Sequence, residues 1–362
     1  MLKILLYPFA LLYGLVISFR HLLFNIGIIP SRSYDVPVIG VGNISIGGTG
    51  KTPHTEYLLR LLQKEFRTAI LSRGYLRKSK GFVLADETSS FKDIGDEPMQ
   101  YLHKFGHQVH VAVDRNRCRG VEKLLSLDEA PEAIILDDAL QHLFIKPGLN
   151  LLLTDFRQLY TDDYLFPTGR LRDLKTVAKR ADIIIVTKTE KILSPLIKRL
   201  IEVKLAPQTH QKLYFSYLEY DTPVSIPSLE KVKIEKQYSS IILFTGIANS
   251  YPLKDNLRYR CRELITLDFP DHHNYTKKDI LFIRKTWDEQ YSRHKLMVTT
   301  EKDAMRLINS PYLRLLKGLP IVYLPIEVKF HGQDGKNFNK QIINYVRENQ
   351  RNSSIPSIED ER

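Results

Sequence analysis

VGNISIGGTGKTPHTEYLL, residues 41–59, decides how the rest of the chain is read. An apolar, strand-like run leads into Gly47, Gly48, Thr49 and Gly50, then Lys51 and Thr52, then a sequence with helical spacing. In G-x-x-x-x-G-K-[ST] the closing half fits at Gly50, Lys51 and Thr52, but position 45, where the opening glycine belongs, holds Ser45. The strand before and the helix after still make Ser45, Ile46, Gly47, Gly48, Thr49, Gly50, Lys51 and Thr52 a candidate phosphate loop. Glycines let backbone N–H groups approach phosphate oxygens, and the helix N-terminus adds its positive end. Lys51 can reach the β and γ phosphates, and Thr52 can offer its hydroxyl to Mg²⁺. A plain glycine-rich turn with a capping threonine would have no need of Lys51.

Outward from this loop, apolar runs alternate with helical ones. VPVIGVGNI, RTAILSRG, QVHVAV, EAIILDD, LNLLLTD and ADIIIVTKT are short, rich in Ile, Val and Leu, and bounded by turn residues. Helical stretches such as TEYLLRLLQKEF and EPMQYLHKF lie between them. That pattern predicts an α/β fold with a mostly parallel sheet covered on both faces and its ligands at the carboxyl ends of the strands. KLYFSYLEYDTPVSI, residues 212–226, alternates and reads as a half-exposed strand. A second, smaller α/β unit begins at SSIILFTGIANS, with helices over 276–290 and 301–309, and IVYLPIEVKF is expected to pair with 212–226 as a two-stranded bridge. The expected boundaries are 1–30 for an N-terminal helix, 31–211 for the phosphate-loop domain, 212–235 for a linker strand, 236–320 for the second domain, 321–350 for a return strand and helix, and 351–362 for a disordered tail. No internal repeat is present.

At 362 residues the chain exceeds what one core usually supports. A formal net charge of +12 favours anionic partners. No nucleic-acid recognition module accompanies it, so acidic lipid or a phosphorylated substrate suffices. Two distant cysteines, Cys118 and Cys261, exclude a disulfide scaffold. Residues 4–19 carry no charge but include Pro8 and Gly14, and the run is short of a bilayer span. With no acidic residue, and with Arg20, His21 and Arg32 behind it, it reads as a helix lying in a membrane interface. The alternative is a buried core helix.

Several polar stretches fall after strands. EAIILDDALQH ends a strand in Asp137 and Asp138, where a Walker-B carboxylate would hold Mg²⁺, although two such acids can also cap a helix. LSRGY places Arg73, and FPTGRLRD places Arg170, Arg172 and Asp173, in glycine-containing loops where arginines clamp phosphate or are simply solvated. In IGDEPMQYL, Asp96 can cap a helix that Glu97 and Pro98 begin. His103, His107 and His110 have the wrong setting for a metal site, because Gly106 breaks their helix. Asp271, His272 and His273 sit in a loop after a second-unit strand, as a cap with surface histidines or as part of a site.

Taken in order, G-N-x-x-x-G-G-T-G-K-T-P, L-S-R-G-Y, G-D-E-P, L-D-D before Gln141 and His142, G-R-L-R-D, G-I-A-N, F-P-D-H-H and T-T-E-K-D-A resemble the tetraacyldisaccharide 4′-kinase family of lipid A biosynthesis. In that family the loop looks like G-N-x-x-x-G-G-x-G-K-T, so Ser45 is no defect. The resemblance implies a P-loop kinase with two α/β domains that moves the γ-phosphoryl group of ATP, with Mg²⁺, to the 4′-hydroxyl of an acylated disaccharide 1-phosphate at the cytoplasmic face of the inner membrane. It calls for no obligatory partner protein. It implies Asp96 as the catalytic base, His272 paired with it across the two domains, and Lys51 and Thr52 on phosphate and Mg²⁺. Asp137, Asp138 and Asp173 would lie near the metal; Arg73, Gln141, His142, Arg170 and Arg172 would face substrate or phosphate. Two departures stand out: Ala139 and Leu140 replace Gly and Phe after the acids, and Asp173 stands where the family more often has Glu. The rival class is a membrane-docking P-loop GTPase or ATPase. VTKTE, residues 186–190, loosely resembles a guanine-reading N-K-x-D loop but lacks both Asn and Asp.

Overall fold

Every apolar run expected as a strand before residue 190 forms one in this computed structural model, which describes residues 2–227, 229–308 and 310–353. The strands are β1 (Val38–Gly42), β2 (Thr68–Ser72), the short β3 (Val83–Leu84), β4 (Val109–Val113), β5 (Ala133–Asp137), β6 (Leu149–Asp155), β7 (Ile183–Thr187) and β8 (Lys212–Tyr220). Later come β9 (Val224–Ser225), β10 (Tyr238–Thr245), β11 (Cys261–Asp268), β12 (Lys295–Thr300), β13 (Ile321–Leu324) and β14 (Ile326–Phe330). The helices are α1 (Leu2–Asn25), α2 (Lys51–Leu62), α3 (Phe91–Ile94), α4 (Asp96–Phe105), α5 (Arg117–Leu125), α6 (Pro195–Leu205), α7 (Tyr251–Arg258), α8 (Lys277–Glu289), α9 (Glu301–Ile308) and α10 (Asp334–Ser353).

The chain divides into two units. The first comprises Met1–Ser89, Tyr101–Leu218 and Val328–Arg362; the second comprises Ser90–Gln100 and Glu219–Glu327. In the first, nine strands run in the order β14-β8-β7-β6-β1-β5-β2-β4-β3, parallel from β8 through β4, with β3 antiparallel at the edge. Leu58, Leu62, Tyr101, Phe338 and Ile342 cover one face, while Val121, Leu124, Val177, Ile201 and Leu205 cover the other. Two covered faces explain why these strands read as continuous apolar runs rather than alternating ones. In the second unit, β11-β10-β12-β13-β9 form a five-stranded sheet, parallel except for β9.

Three boundaries differ from expectation. Segment 90–100 groups with the second unit, because Glu97 accepts from Lys302 at 3.1 Å and Gln100 donates to Glu301 at 3.1 Å. Segment 219–235 joins the second unit instead of standing as a linker. The expected return strand is two strands: β13 pairs with β9, while β14 lies beside β8 in the large sheet. Pro325 sits at the break, where it has no N–H to give to a ladder. Helix α10 extends to Ser353, and the rest of the expected tail, 354–362, lies outside the described residues.

Helix α1 packs by one face only. Ala10, Ile17 and His21 are buried, whereas Leu5, Phe9, Leu12, Val16 and Phe19, spaced four and three apart, are exposed. The buried-core alternative is therefore excluded. Leu5–Asn25 has the length and mean hydropathy, 1.4, of a membrane-crossing helix by composition alone.

Candidate active site

Strand β1 ends at Gly42, and Asn43, fully buried, ties the loop that follows. Its Nδ2 donates to Thr49 Oγ1 at 2.7 Å, and its Oδ1 accepts from Lys51 Nζ at 3.4 Å and from Arg172. Residues 170–172 run antiparallel to the loop's first half. The N–H of Ile46 donates to Arg170 O at 2.6 Å, and that of Arg172 to Ile44 O at 2.9 Å. Gly47 and Gly50 have φ of 114° and 88°, a region that residues with a Cβ rarely adopt.

The donor set fits a phosphate group. Helix α2 begins at Lys51 with no side chain capping it, and Pro53 has no N–H. The first N–H groups of a helix have no carbonyl acceptor within it, and such an N-terminus is a favourable place for an anion. A Cβ at Gly48 would meet no protein atom within 4 Å. Nothing in the protein crowds that position.

Asp138, in the left-handed region at φ 55°, lies across from Lys51, with 3.5 Å between Nζ and Oδ1. Arg172 grips the same carboxylate with both terminal nitrogens, Nη1 at 2.9 Å from Oδ2. Burial alone would raise its pKa, but the Arg172 hydrogen bonds and the Lys51 charge bring it down to about 2. Asp137 is buried at the end of β5; its carboxylate accepts from Tyr101 at 3.4 Å, and its carbonyl accepts from Arg117 at 3.0 Å. Among the described residues no cluster of three or more acids, histidines or cysteines forms a metal cage. Mg²⁺ needs none, since one or two carboxylates with phosphate oxygens and water suffice. Asp138, 3.5 Å from Lys51 at the loop, fits that requirement.

Asp173 does not join this set. It is buried and takes His21 Nε2 at 2.7 Å and the Leu174 N–H at 2.8 Å. The two side chains leave the bend at 172–173 on different sides: Arg172 faces Asp138 while Asp173 faces α1. The same contact removes His21 from the basic flank expected for a membrane helix. Gln141 braces the loop by donating to Asn43 O at 2.8 Å. The Arg170 side chain is exposed, 3.8 Å from Asp163. Arg73 is exposed after β2. His142 is pushed down to about 4, by burial first and then by the charges of Arg117, Arg73 and Arg20. A neutral imidazole beside three guanidinium groups suits an anionic ligand.

A second group forms wholly within the second unit. Asp96 Oδ2 accepts from His272 Nδ1 at 3.0 Å and from Arg306 at 2.6 and 3.1 Å. The expected separation of Asp96 and His272 into different domains is thus incorrect, because segment 90–100 belongs with the second unit. Burial raises the pKa of Asp96, but the hydrogen bonds from His272 and Arg306 outweigh it and hold the carboxyl at about 2. Arg306 also pairs with Asp303 at 3.0 Å, and Asp303 is fixed by Thr245, Gly246 and Thr300. His272 has φ 58°, and its N–H donates to Gly246 O at 3.1 Å. His273 turns away to Asp279 at 2.9 Å and stacks on Phe269, so of the two histidines only His272 reaches Asp96.

Arg306, Asn43 and Arg117 were not singled out from the sequence. Arg306 had a signal: it follows Asp303 by three on an amphipathic helix, one turn after T-T-E-K-D. Replacing Arg306 by Met leaves the buried Asp303 and the half-buried Asp96 without their shared cation, and removing one partner of a buried pair costs about 3–5 kcal/mol. A loss of that order is expected in denaturant unfolding. Arg306→Lys should recover only part, because one ammonium cannot hold two acids in a fork. Wild-type stability in Arg306→Met would contradict the pairing.

A glycine-rich strand-to-helix loop, a lysine and threonine at its end, and a carboxylate facing them define a P-loop nucleoside-triphosphate enzyme. The profile described as LpxK, tetraacyldisaccharide-1-P 4′-kinase, matches residues 2–347. The chain is 44% identical to the tetraacyldisaccharide 4′-kinase of Bacteroides thetaiotaomicron, covering 98% of this chain and 96% of that one. It is 43% identical to that of Flavobacterium johnsoniae, covering 96% and 98%. The crystal structure of the "apo" form of LpxK from Aquifex aeolicus in complex with ATP superposes with a TM-score of 0.71 at 28% identity, over 96% of this chain and all of that one. The chain belongs to the tetraacyldisaccharide 4′-kinase family, ATP-dependent kinases of lipid A biosynthesis. It uses ATP and Mg²⁺ to phosphorylate the 4′-hydroxyl of a tetraacyldisaccharide 1-phosphate.

Proposed function

We propose that residues 45–52 hold the β and γ phosphates of ATP, with Lys51 on the transferring group and Arg172 fixing Asp138 beside it. The observation that carries this reading is the uncapped start of α2, with Lys51, Asp138 and Arg172 converging on it. Mg²⁺, bound through Thr52 and Asp138, would neutralise charge on the phosphate oxygens. Asp96 accepts the proton of the 4′-hydroxyl, and His272 orients the carboxylate. Arg73 and His142 form a region suited to the anionic part of the acceptor. In a loose transition state little proton transfer is needed early, so an ionised carboxylate of low basicity is adequate and positioning supplies most of the rate.

Incubation with ATP, Mg²⁺ and a tetraacyl disaccharide 1-phosphate, against a control without acceptor, tests the reading. Nucleotide turnover should require the acceptor and add one phosphate to it. Equal ATP hydrolysis in the control would favour a regulatory NTPase.

The exposed stripe of α1 supports peripheral attachment at the cytoplasmic face of the inner membrane, where ATP and the acylated acceptor meet. Burying a leucine-sized side chain is worth about 1.5–3 kcal/mol. Leu12→Glu with Val16→Glu should therefore lower binding to vesicles containing anionic lipid by at least roughly tenfold in sedimentation. Unchanged sedimentation would remove α1 from the membrane contact.

A further inference from the structure

Helix α1 is joined to the phosphate loop by contacts that a tether would not require. The Tyr13 hydroxyl donates to Arg172 O at 3.0 Å, and Arg20 donates to Gln141 O at 3.0 Å. His21 Nε2 donates to Asp173 Oδ1 at 2.7 Å, with both side chains buried, at 7% and 2% exposure. The helix sits close along this face: a Cβ on Gly14 would come within 2.9 Å of Leu165 Cδ1. All three donors end on the segment that follows the Asp138 turn or on residues 172 and 173. From there the path is short. Arg172 grips Asp138 and Asn43 through its side chain, and its N–H binds Ile44 O, while Ile46 N–H binds Arg170 O. The first half of the phosphate loop is thus braced by a segment that α1 holds from behind.

We propose that His21 is a positioning residue for phosphoryl transfer: through Asp173 it fixes residues 170–173, and with them the Arg172–Asp138 fork and the 44–46 side of the phosphate loop. Without His21, the buried Asp173 carboxylate keeps the Leu174 N–H at 2.8 Å but loses its side-chain donor. A buried charged group that loses its partner is costly, and the segment relieves that cost by moving Asp173 towards water. Arg172, bonded to its neighbour by one peptide link, moves with it. Displacement of a charge-bearing group by about 1 Å can cost on the order of 10²-fold in rate. The inference rests on the reading of residues 45–52 as the phosphate site.

The test uses the full chain with ATP, Mg²⁺ and acylated acceptor dispersed in detergent, alongside vesicle sedimentation. His21→Ala is expected to lower kcat roughly tenfold or more, with the acceptor KM and the vesicle-bound fraction at wild-type values. His21→Gln, which places an amide donor near the Nε2 position, should recover most of the loss. In His21→Ala with Asp173→Asn, the two losses should not add, because both remove one interaction. A helix that serves only as an anchor gives the opposite split: altered KM and sedimentation with kcat intact. That result, or a glutamine variant no better than alanine, overturns the proposal. If His21→Ala does not fold, Tyr13→Phe removes only the hydroxyl on Arg172 O and should lower kcat by a smaller factor at constant KM; unchanged kcat there counts against it. Lys51→Ala, run in parallel, separates the two layers. If it retains activity, the phosphate-site reading itself fails; if it is inactive while His21→Ala is normal, only this inference falls.

Discussion

Lys51→Ala is expected to lower kcat by about 10³-fold or more, the scale of a cation acting directly on a transferring phosphoryl group. The structure separates this effect from a loss of fold. Lys51 Nζ stands 3.5 Å from Asp138 and 3.4 Å from Asn43, but both keep Arg172 when the lysine is gone. Unfolding midpoints should stay near wild type while turnover collapses. Lys51→Arg should restore little, since a planar fork cannot replace a point charge at the end of a flexible stem in a loop this tight. Steady-state kinetics with saturating acceptor provide the check. Activity within tenfold of wild type would show that the charge does not act on the reacting phosphate.

The second large effect belongs to Asp96. Asp96→Asn keeps the shape of the side chain but removes the proton acceptor, and loss of a general base typically costs about 10²–10⁴-fold. Its expected loss is no greater than that of Lys51→Ala. Because His272 and Arg306 hold the carboxyl at about 2, below the value near 3.9 of an unfolded chain, Asp96 stabilises the fold above the unfolded value. That contribution fades as pH falls towards 2. Above about pH 4 Asp96 is ionised, so it contributes no acidic limb to kcat/KM in the neutral range. A site-specific titration of Asp96 with a midpoint above 4 would contradict this, and equal turnover of Asp96→Asn and wild type would remove the base assignment.

The phosphate loop and the large parallel sheet were legible because their signals are local. Gly47 through Thr52 are contiguous, and a strand covered on both faces has to be an apolar run. The Asp96–His272 pair is separated by 176 residues and entered only through the resemblance to a family. Its placement within one unit was not legible at all. A short segment inserted between strands of one sheet can belong by contact to another unit, and no periodicity records that. Arg306 escaped notice because an arginine on an amphipathic helix ordinarily meets water. Here it is 3% exposed, between two acids. Asp173 was read with its neighbours as a metal carboxylate. A bend at 172–173 sends it to the far side, and its partner, His21, lies 152 residues earlier in a helix that looked concerned only with lipid.

The most direct measurement is a crystal structure of the chain with a non-hydrolysable ATP analogue and Mg²⁺. The account predicts the terminal phosphate against the backbone of Gly47 through Thr52, Lys51 Nζ on its oxygens, and the ion between Thr52 and the Asp138 side of the loop. A nucleotide bound elsewhere, with Lys51 still turned to Asp138 and Asn43, would contradict it.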